Sequence, residues 1–103
     1  IQEVQPCTSM TEVRARVDAL DDVLVPLLVQ RSAYMAQAAR IKQDKNQVRD
    51  EARIQAIVDR VRQHAVAQGG EPAVMEAIYR GMMEIFIAYE HHEFARLREG
   101  ATA

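Results

Sequence analysis

Apolar residues return at Val13, Val17, Leu20, Leu24 and Leu27, and again at Tyr34, Ala38 and Ile41, in steps of four and three. That spacing is the seam of an amphipathic helix and predicts one running from Thr11 to about Lys42. At 1.5 Å per residue such a rod is about 48 Å long, against about 34 Å across for a compact globule of this chain length. A rod whose apolar seam overhangs its own globule calls for a partner. The expected solution is a second copy packed antiparallel, a homodimer with an isologous interface. Pro26 falls in the middle of the seam. It removes one hydrogen bond and crowds the preceding turn, at about 3 kcal/mol. The outcome is a kink, which the unbroken phase of the seam favours, or a break into two helices.

The polar stretch from Gln43 to Asp50 can turn, and a second helix is expected from Arg49 or Asp50 to Gln68, with the stripe Ile54, Ile57, Val58, Val61 and Ala65. Asp50 and Glu51 suit the positive end of its dipole, and Gly69-Gly70 is a common helix stop. Pro72 then opens a third helix, expected to run to about Arg98 with Met75, Ile78, Tyr79, Met82, Met83, Phe86, Tyr89 and Phe94 on its buried side. No stretch alternates as a strand does. The fold class is therefore all-α, with three helices per protomer and a long first helix. Residues 1–10 read as an extended lead-in that ends on a cap at Thr8 or Ser9, Ser9 standing three before Glu12 as in a capping box. The helical domain covers 11–98, and 99–103 read as a loose tail.

Composition narrows the picture a little. A chain of 103 residues makes one domain, with a core just large enough to fold unaided. A net charge of −2 gives no reason to expect nucleic acid or an acidic membrane as partner. Cys7 is the only cysteine and has no basic neighbour, so it reads as a small packed residue and gives no sign of an oxidising compartment. No apolar run reaches the length of a membrane span and the first residues show no signal-peptide pattern, so the expected location is cytoplasmic.

Two polar residues sit where core residues belong. Arg31 falls on the seam of the first helix between Leu27 and Tyr34. Lys42 follows eleven residues later, about 20° away around the axis and about 16 Å along it, so the two long cations can close on one small polyanion. Glu90 interrupts the row Tyr79, Met83, Phe86, Phe94, Leu97 on the third helix. Apolar neighbours should raise a carboxyl pKa, leaving Glu90 protonated and able to donate. Singly, each misfit is explained by a structural ion pair, or for Glu90 by a helix twist that takes it to solvent. Two of them on different helices of one small domain point to a shared polar site. Other candidates are weaker: His91 and His92 lie about 100° apart on a helix, not at the i, i+4 spacing that binds zinc, and His64 stands alone. The Met-rich stripe reads as core filler. Glycine-rich phosphate loops, nucleophile elbows and metal-ligand clusters are absent from the sequence.

The spaced set Val13-Arg14, Asp18-Ala19-Leu20-Asp21, Leu27-Leu28, Arg31, Lys42, Val48-Arg49-Asp50 and Arg53 resembles the all-α chorismate mutases, over roughly residues 7–95. Cys7-Thr8 and the phrase Tyr34, Ala38 to Lys42 look closest to a branch that includes isochorismate pyruvate lyases. The resemblance implies an intertwined dimer in which Arg31 and Lys42 meet a dicarboxylate from one protomer and Arg14 enters from the partner. Spacing agrees, since Arg14 lies about 25 Å along the helix from Arg31, beyond the span of one small ligand. By the same resemblance, Lys42 and Glu90 hydrogen-bond the ether oxygen whose bond breaks, Asp50 accepts from the ring hydroxyl and Arg53 supports the anionic rim. The chain departs from the pattern at Ile54, where the family has glutamate, at Phe86, where it has serine, and at Glu90, where many members have glutamine. Phe86 would then line the substrate pocket.

The implied reaction is the Claisen rearrangement of chorismate to prephenate in aromatic amino acid biosynthesis, which needs no nucleophile, metal or cofactor. It needs orientation of a flexible arm and stabilisation of charge on an oxygen. Alternatives are an isochorismate pyruvate lyase forming salicylate, a mutase of an amino analogue of chorismate and, outside enzymes, a helical dimerisation module. Val48-Arg49-Asp50 places an acid near the ring hydroxyl, which is mutase-like, whereas lyase relatives have a more apolar, proline-containing segment there.

Overall fold

The computed structural model describes residues 3–102, with side chains from 3 to 99. Among these residues there are three α-helices, α1 (Met10–Ile41), α2 (Glu51–Ala67) and α3 (Pro72–Thr102), and a short 3₁₀ turn at Lys45–Gln47. The all-α expectation holds. No helix among the described residues is long and apolar enough to cross a membrane.

α1 starts where its capping residues dictate. Ser9 Oγ accepts from the Glu12 amide at 3.2 Å, while the Glu12 carboxylate reaches back to the amide and hydroxyl of Thr8, at 3.1 and 3.0 Å. The box is therefore shared, Ser9 supplying one half and Thr8 receiving the other. Pro26 lies inside α1 without breaking it. One bond is forgone in a ladder of 32 residues, and the helical phase continues on both sides.

The chain divides into two compact units, residues 1–33 and 34–103. In the first, the seam of α1 is bare: Val13, Val17, Leu20, Leu24 and Leu27 are between 36 and 57% exposed. The second unit holds the last two turns of α1, the 3₁₀ turn, α2 and α3.

Within that second unit α2 packs on α3 as an antiparallel hairpin. Arg49 meets Glu84 at 2.9 Å and Arg62 meets Glu76 at 2.8 Å, so the two helices run in opposite directions. The turn between them is set by Gly69 at φ 73°, a left-handed conformation that glycine adopts without strain. With it come the two bonds of a Schellman motif, Gly70 N–H to the Ala65 carbonyl at 2.7 Å and Gly69 N–H to the Val66 carbonyl at 3.1 Å. Val58 and Ala65 of α2 and Met83 and Phe86 of α3 form the buried core, with Ala39 from the end of α1 and Val48 from the loop.

One boundary differs from expectation. α3 continues through 99–102 rather than ending near Arg98, so the loose tail expected from residue 99 is helical as far as Thr102. Arg98 fastens the last turns to the end of α1, and alanine beyond it has high helix propensity. Ile1 and Gln2 of the expected lead-in, and Ala103 of the tail, lie outside the described residues.

Candidate active site

Lys42 is the first residue past α1, and its amide closes the last helical turn on the Ala38 carbonyl at 2.9 Å. That position aims its side chain at α3. Nζ donates to Glu90 Oε1 at 2.8 Å and more distantly to the Val48 carbonyl at 3.4 Å. Glu90 is only 3% exposed, so the expectation of a carboxylate inside the apolar row is met, and a helix twist does not carry it to solvent. Phe86 is buried one turn earlier, and Phe94 is half-buried one turn later. A buried carboxylate in such company persists because a cation meets it. The pair joins two residues 48 positions apart in the chain.

The loop after Lys42 is built from its own polar side chains. Asp44 Oδ1 accepts from the Asn46 amide at 2.8 Å, and Gln47 Oε1 accepts from the amides of Gln43 and Asp44 at 2.9 and 3.3 Å. This reciprocal box holds the 3₁₀ turn, buried Val48 anchors the loop, and the Val48 carbonyl is presented to Lys42. Arg49 then forks onto Glu84 of α3, at 2.9 and 3.0 Å, and onto Glu51 at 2.6 Å. The Arg49 hydrogen bond holds the Glu84 carboxyl below its usual range, while Glu84 and Glu51 hold the Arg49 guanidinium above its own. Asp50 caps α2, its Oδ1 accepting from the Arg53 amide at 3.0 Å. An open groove runs along this loop, lined by residues from Ile41 to Glu51 that include Lys42, Asn46, Gln47 and Asp50.

The sequence-expected residues therefore divide as follows. Lys42 and Glu90 are in direct contact, with Phe86 in the turn before Glu90. Asp50 and the exposed Arg53 stand together at the start of α2, where Ile54 is half-buried. Arg14, exposed, and Arg31, half-buried, belong to α1 in the first unit. His64, His91 and His92 are exposed.

Two arginines of α3 went unmarked in the sequence. Arg96 binds the buried carboxylate of Glu93 through Nη2 at 2.8 Å and Nε at 3.1 Å, and this hydrogen bonding lowers the Glu93 pKa. The i, i+3 spacing of that pair was readable. Arg98 donates through Nη1 to the carbonyls of Ala39, at 2.8 Å, and Phe94, at 3.3 Å, and through Nη2 to the Lys42 carbonyl. Its acceptors are backbone atoms, which no side-chain pattern announces.

The fold and this cluster define a class of protein: a helical domain carrying a lysine paired with a buried carboxylate beside a polar groove, suited to placing charge against a bound anion. The chain belongs to the chorismate mutase type II family, which it matches over residues 13–91. The activity of that family is chorismate mutase, an isomerase reaction, so the substrate is chorismate. The match lends nothing to the lyase, amino-analogue or dimerisation-module readings. No curated protein matches the chain.

Proposed function

We propose that this chain converts chorismate to prephenate with Lys42 and Glu90 acting together at the ether oxygen. The observation that carries the reading is their contact at 2.8 Å, with the carboxylate buried. Two groups that meet at that distance can both reach one oxygen brought between them. In the rearrangement the ether C–O bond breaks as the methylene end of the enolpyruvyl arm bonds to the ring, and negative charge gathers on the departing oxygen. Lys42 stabilises that charge as a preorganised donor. Glu90 helps only when it carries a proton, because an ionised carboxylate repels the same charge.

Arg31 binds substrate carboxylate from the same protomer, the fork of its guanidinium matching the two oxygens. Asp50 accepts from the ring hydroxyl with the oxygen that does not cap α2, Arg53 adds positive charge at the rim and Phe86 lines the pocket. The complete site needs a second copy, packed antiparallel, whose Arg14 joins Arg31, Lys42 and Glu90. The bare seam of α1 supports this, since five aliphatic side chains exposed in a row are what an isologous interface would cover. The pathway served is aromatic amino acid biosynthesis and the location cytoplasmic; the solitary cysteine is in keeping with a reducing compartment.

The test is direct. The protein is incubated with chorismate and with isochorismate in separate reactions and the products identified. Prephenate from the first and no salicylate from the second is expected. Arg31→Ala and Lys42→Ala should each lower kcat by about 10²–10³, the usual cost of a lost oxyanion donor. Salicylate as the main product, or near-normal turnover in either variant, would overturn the assignment.

A further inference from the structure

Lys42 is gripped from α3 at two points. Glu90 takes its ammonium group, and eight residues along the same helix Arg98 takes its backbone carbonyl. Arg98 is itself tightly constrained: its other terminal nitrogen binds the Ala39 carbonyl at 2.8 Å, and the guanidinium lies over the Phe94 ring, 3.5 Å from the centroid. The carbonyls it takes belong to the last turn of α1 and the residue after it, where no further helical N–H follows to donate to them and the helix dipole is negative. A cation there would serve as a plain fastener.

The identity of the residue gripped suggests more. Lys42 stands at the first non-helical position, so its amide is held by Ala38 but no following turn holds its carbonyl. The peptide that carries this carbonyl also begins the loop to Val48, whose own carbonyl takes the second Nζ bond. Releasing it would let both the lysine stem and its loop partner rotate. We propose that Arg98 is a positioning residue for the rearrangement: it sets where Lys42 Nζ stands relative to Glu90, and so how well the pair meets the ether oxygen. This rests on the roles proposed above for Lys42 and Glu90. Lysine at position 98 would keep the positive charge at the helix end but cannot fork across two carbonyls while stacking on the ring.

The experiment compares wild type, Arg98→Lys, Arg98→Ala and Lys42→Ala. It reads kcat and KM on chorismate, melting temperature, and the side-chain nitrogen resonances of protein made with labelled lysine. Lys42 and Lys45 are the only lysines, so the spectrum has two signals and Lys45 is an internal control. Arg98→Ala should lower kcat about 10- to 100-fold with KM within about threefold, since a displacement near 1 Å can cost about 10² in rate. Arg98→Lys should fall between it and wild type. The Lys42 resonance should move in both, and by clearly more than that of the exposed Lys45, at a temperature where both are folded. Added guanidinium ion should restore part of the activity of Arg98→Ala and none of that of Lys42→Ala.

If only the melting temperature falls, with kcat and the Lys42 resonance unchanged, Arg98 is a fastener and the inference is overturned. If Arg98→Ala does not fold, Arg98→Lys carries the same readings. If wild type leaves chorismate unchanged, the proposed function fails separately. The catalytic part of the inference falls with it, and the Lys42 resonance then decides only whether Arg98 places the Lys42 side chain, a shift supporting that placement and an unmoved signal overturning it.

Discussion

Replacing Lys42 with alanine strands the Glu90 carboxylate, 3% exposed, without the ammonium that now lies 2.8 Å away. At an effective dielectric constant of about 20, two unit charges at that separation attract by about 6 kcal/mol before desolvation is counted. Removing one member of a fully buried pair typically costs about 3–5 kcal/mol of stability; here only the carboxylate is buried, the Lys42 side chain being 29% exposed, so the lower end applies. The stranded group has one escape, which is to take up a proton. For a carboxyl whose unfolded value is about 4.3, that costs about 3.7 kcal/mol at pH 7 and only about 1 kcal/mol at pH 5. The folded variant then holds a proton that the unfolded chain has released, so it loses stability as pH rises. Lys42→Ala should therefore cost about 3–4 kcal/mol at pH 7 and about 1 kcal/mol at pH 5, a slope near 1.4 kcal/mol per pH unit. Adding Glu90→Gln should remove that slope, because the amide has no charge to strand. The assay is urea denaturation of wild type, both single variants and the double variant at pH 5, 6 and 7. Protomer concentration is held fixed, since association would otherwise shift apparent stability. A Lys42→Ala penalty equal at pH 5 and pH 7 would refute the reasoning.

Three further outcomes are expected. Mixing Arg14→Ala with Arg31→Ala should restore part of the activity lost in each, because a heterodimer rebuilds one intact site; no recovery despite proven subunit exchange would count against a site shared between protomers. Glu90→Gln should keep most of the activity, since an amide can donate to the ether oxygen with no charge to repel it, whereas Glu90→Ala should lower kcat by about 10²–10³; an equal loss in both would count against Glu90 as a donor. The α2–α3 hairpin should weaken in acid. Hydrogen bonds from Arg80 and Arg62 lower the Glu76 pKa and that of Arg49 lowers Glu84, both from 4.5, so their stabilisation is present above that value and lost as pH falls through the lower folded one. Thermal melts of Glu76→Gln and Glu84→Gln against wild type from pH 3 to pH 6 check this, the expected difference appearing only at the upper end.

Much of the architecture is local and was therefore legible in the chain. The four-three recurrence from Val13 to Ile41 marks α1, Ser9 and Glu12 mark its start, Gly69 and Pro72 mark the turn between α2 and α3, and all lie within one residue of their expected places. Each signal works through neighbours a turn or less away, so no knowledge of the fold is needed to read it. Arg31 and Glu90 were legible as misfits for the same reason, because a break in a periodic row is itself local. The Asp44–Gln47 box is equally local and readable from its spacing.

Tertiary structure decided which charge meets which. By residue pattern alone the cation that meets Glu90 was open, and only the family resemblance set Lys42 beside it; the fold brings Lys42 to it across 48 residues of chain. Arg98 was beyond reach for a further reason. It binds the carbonyls of Ala39 and Lys42, and every residue has a carbonyl, so nothing in side-chain identity separates these two from the rest. What the sequence determines here is what each short segment can be; where two segments meet depends on excluded volume and burial summed over the whole domain, and that sum exists only once the chain is folded.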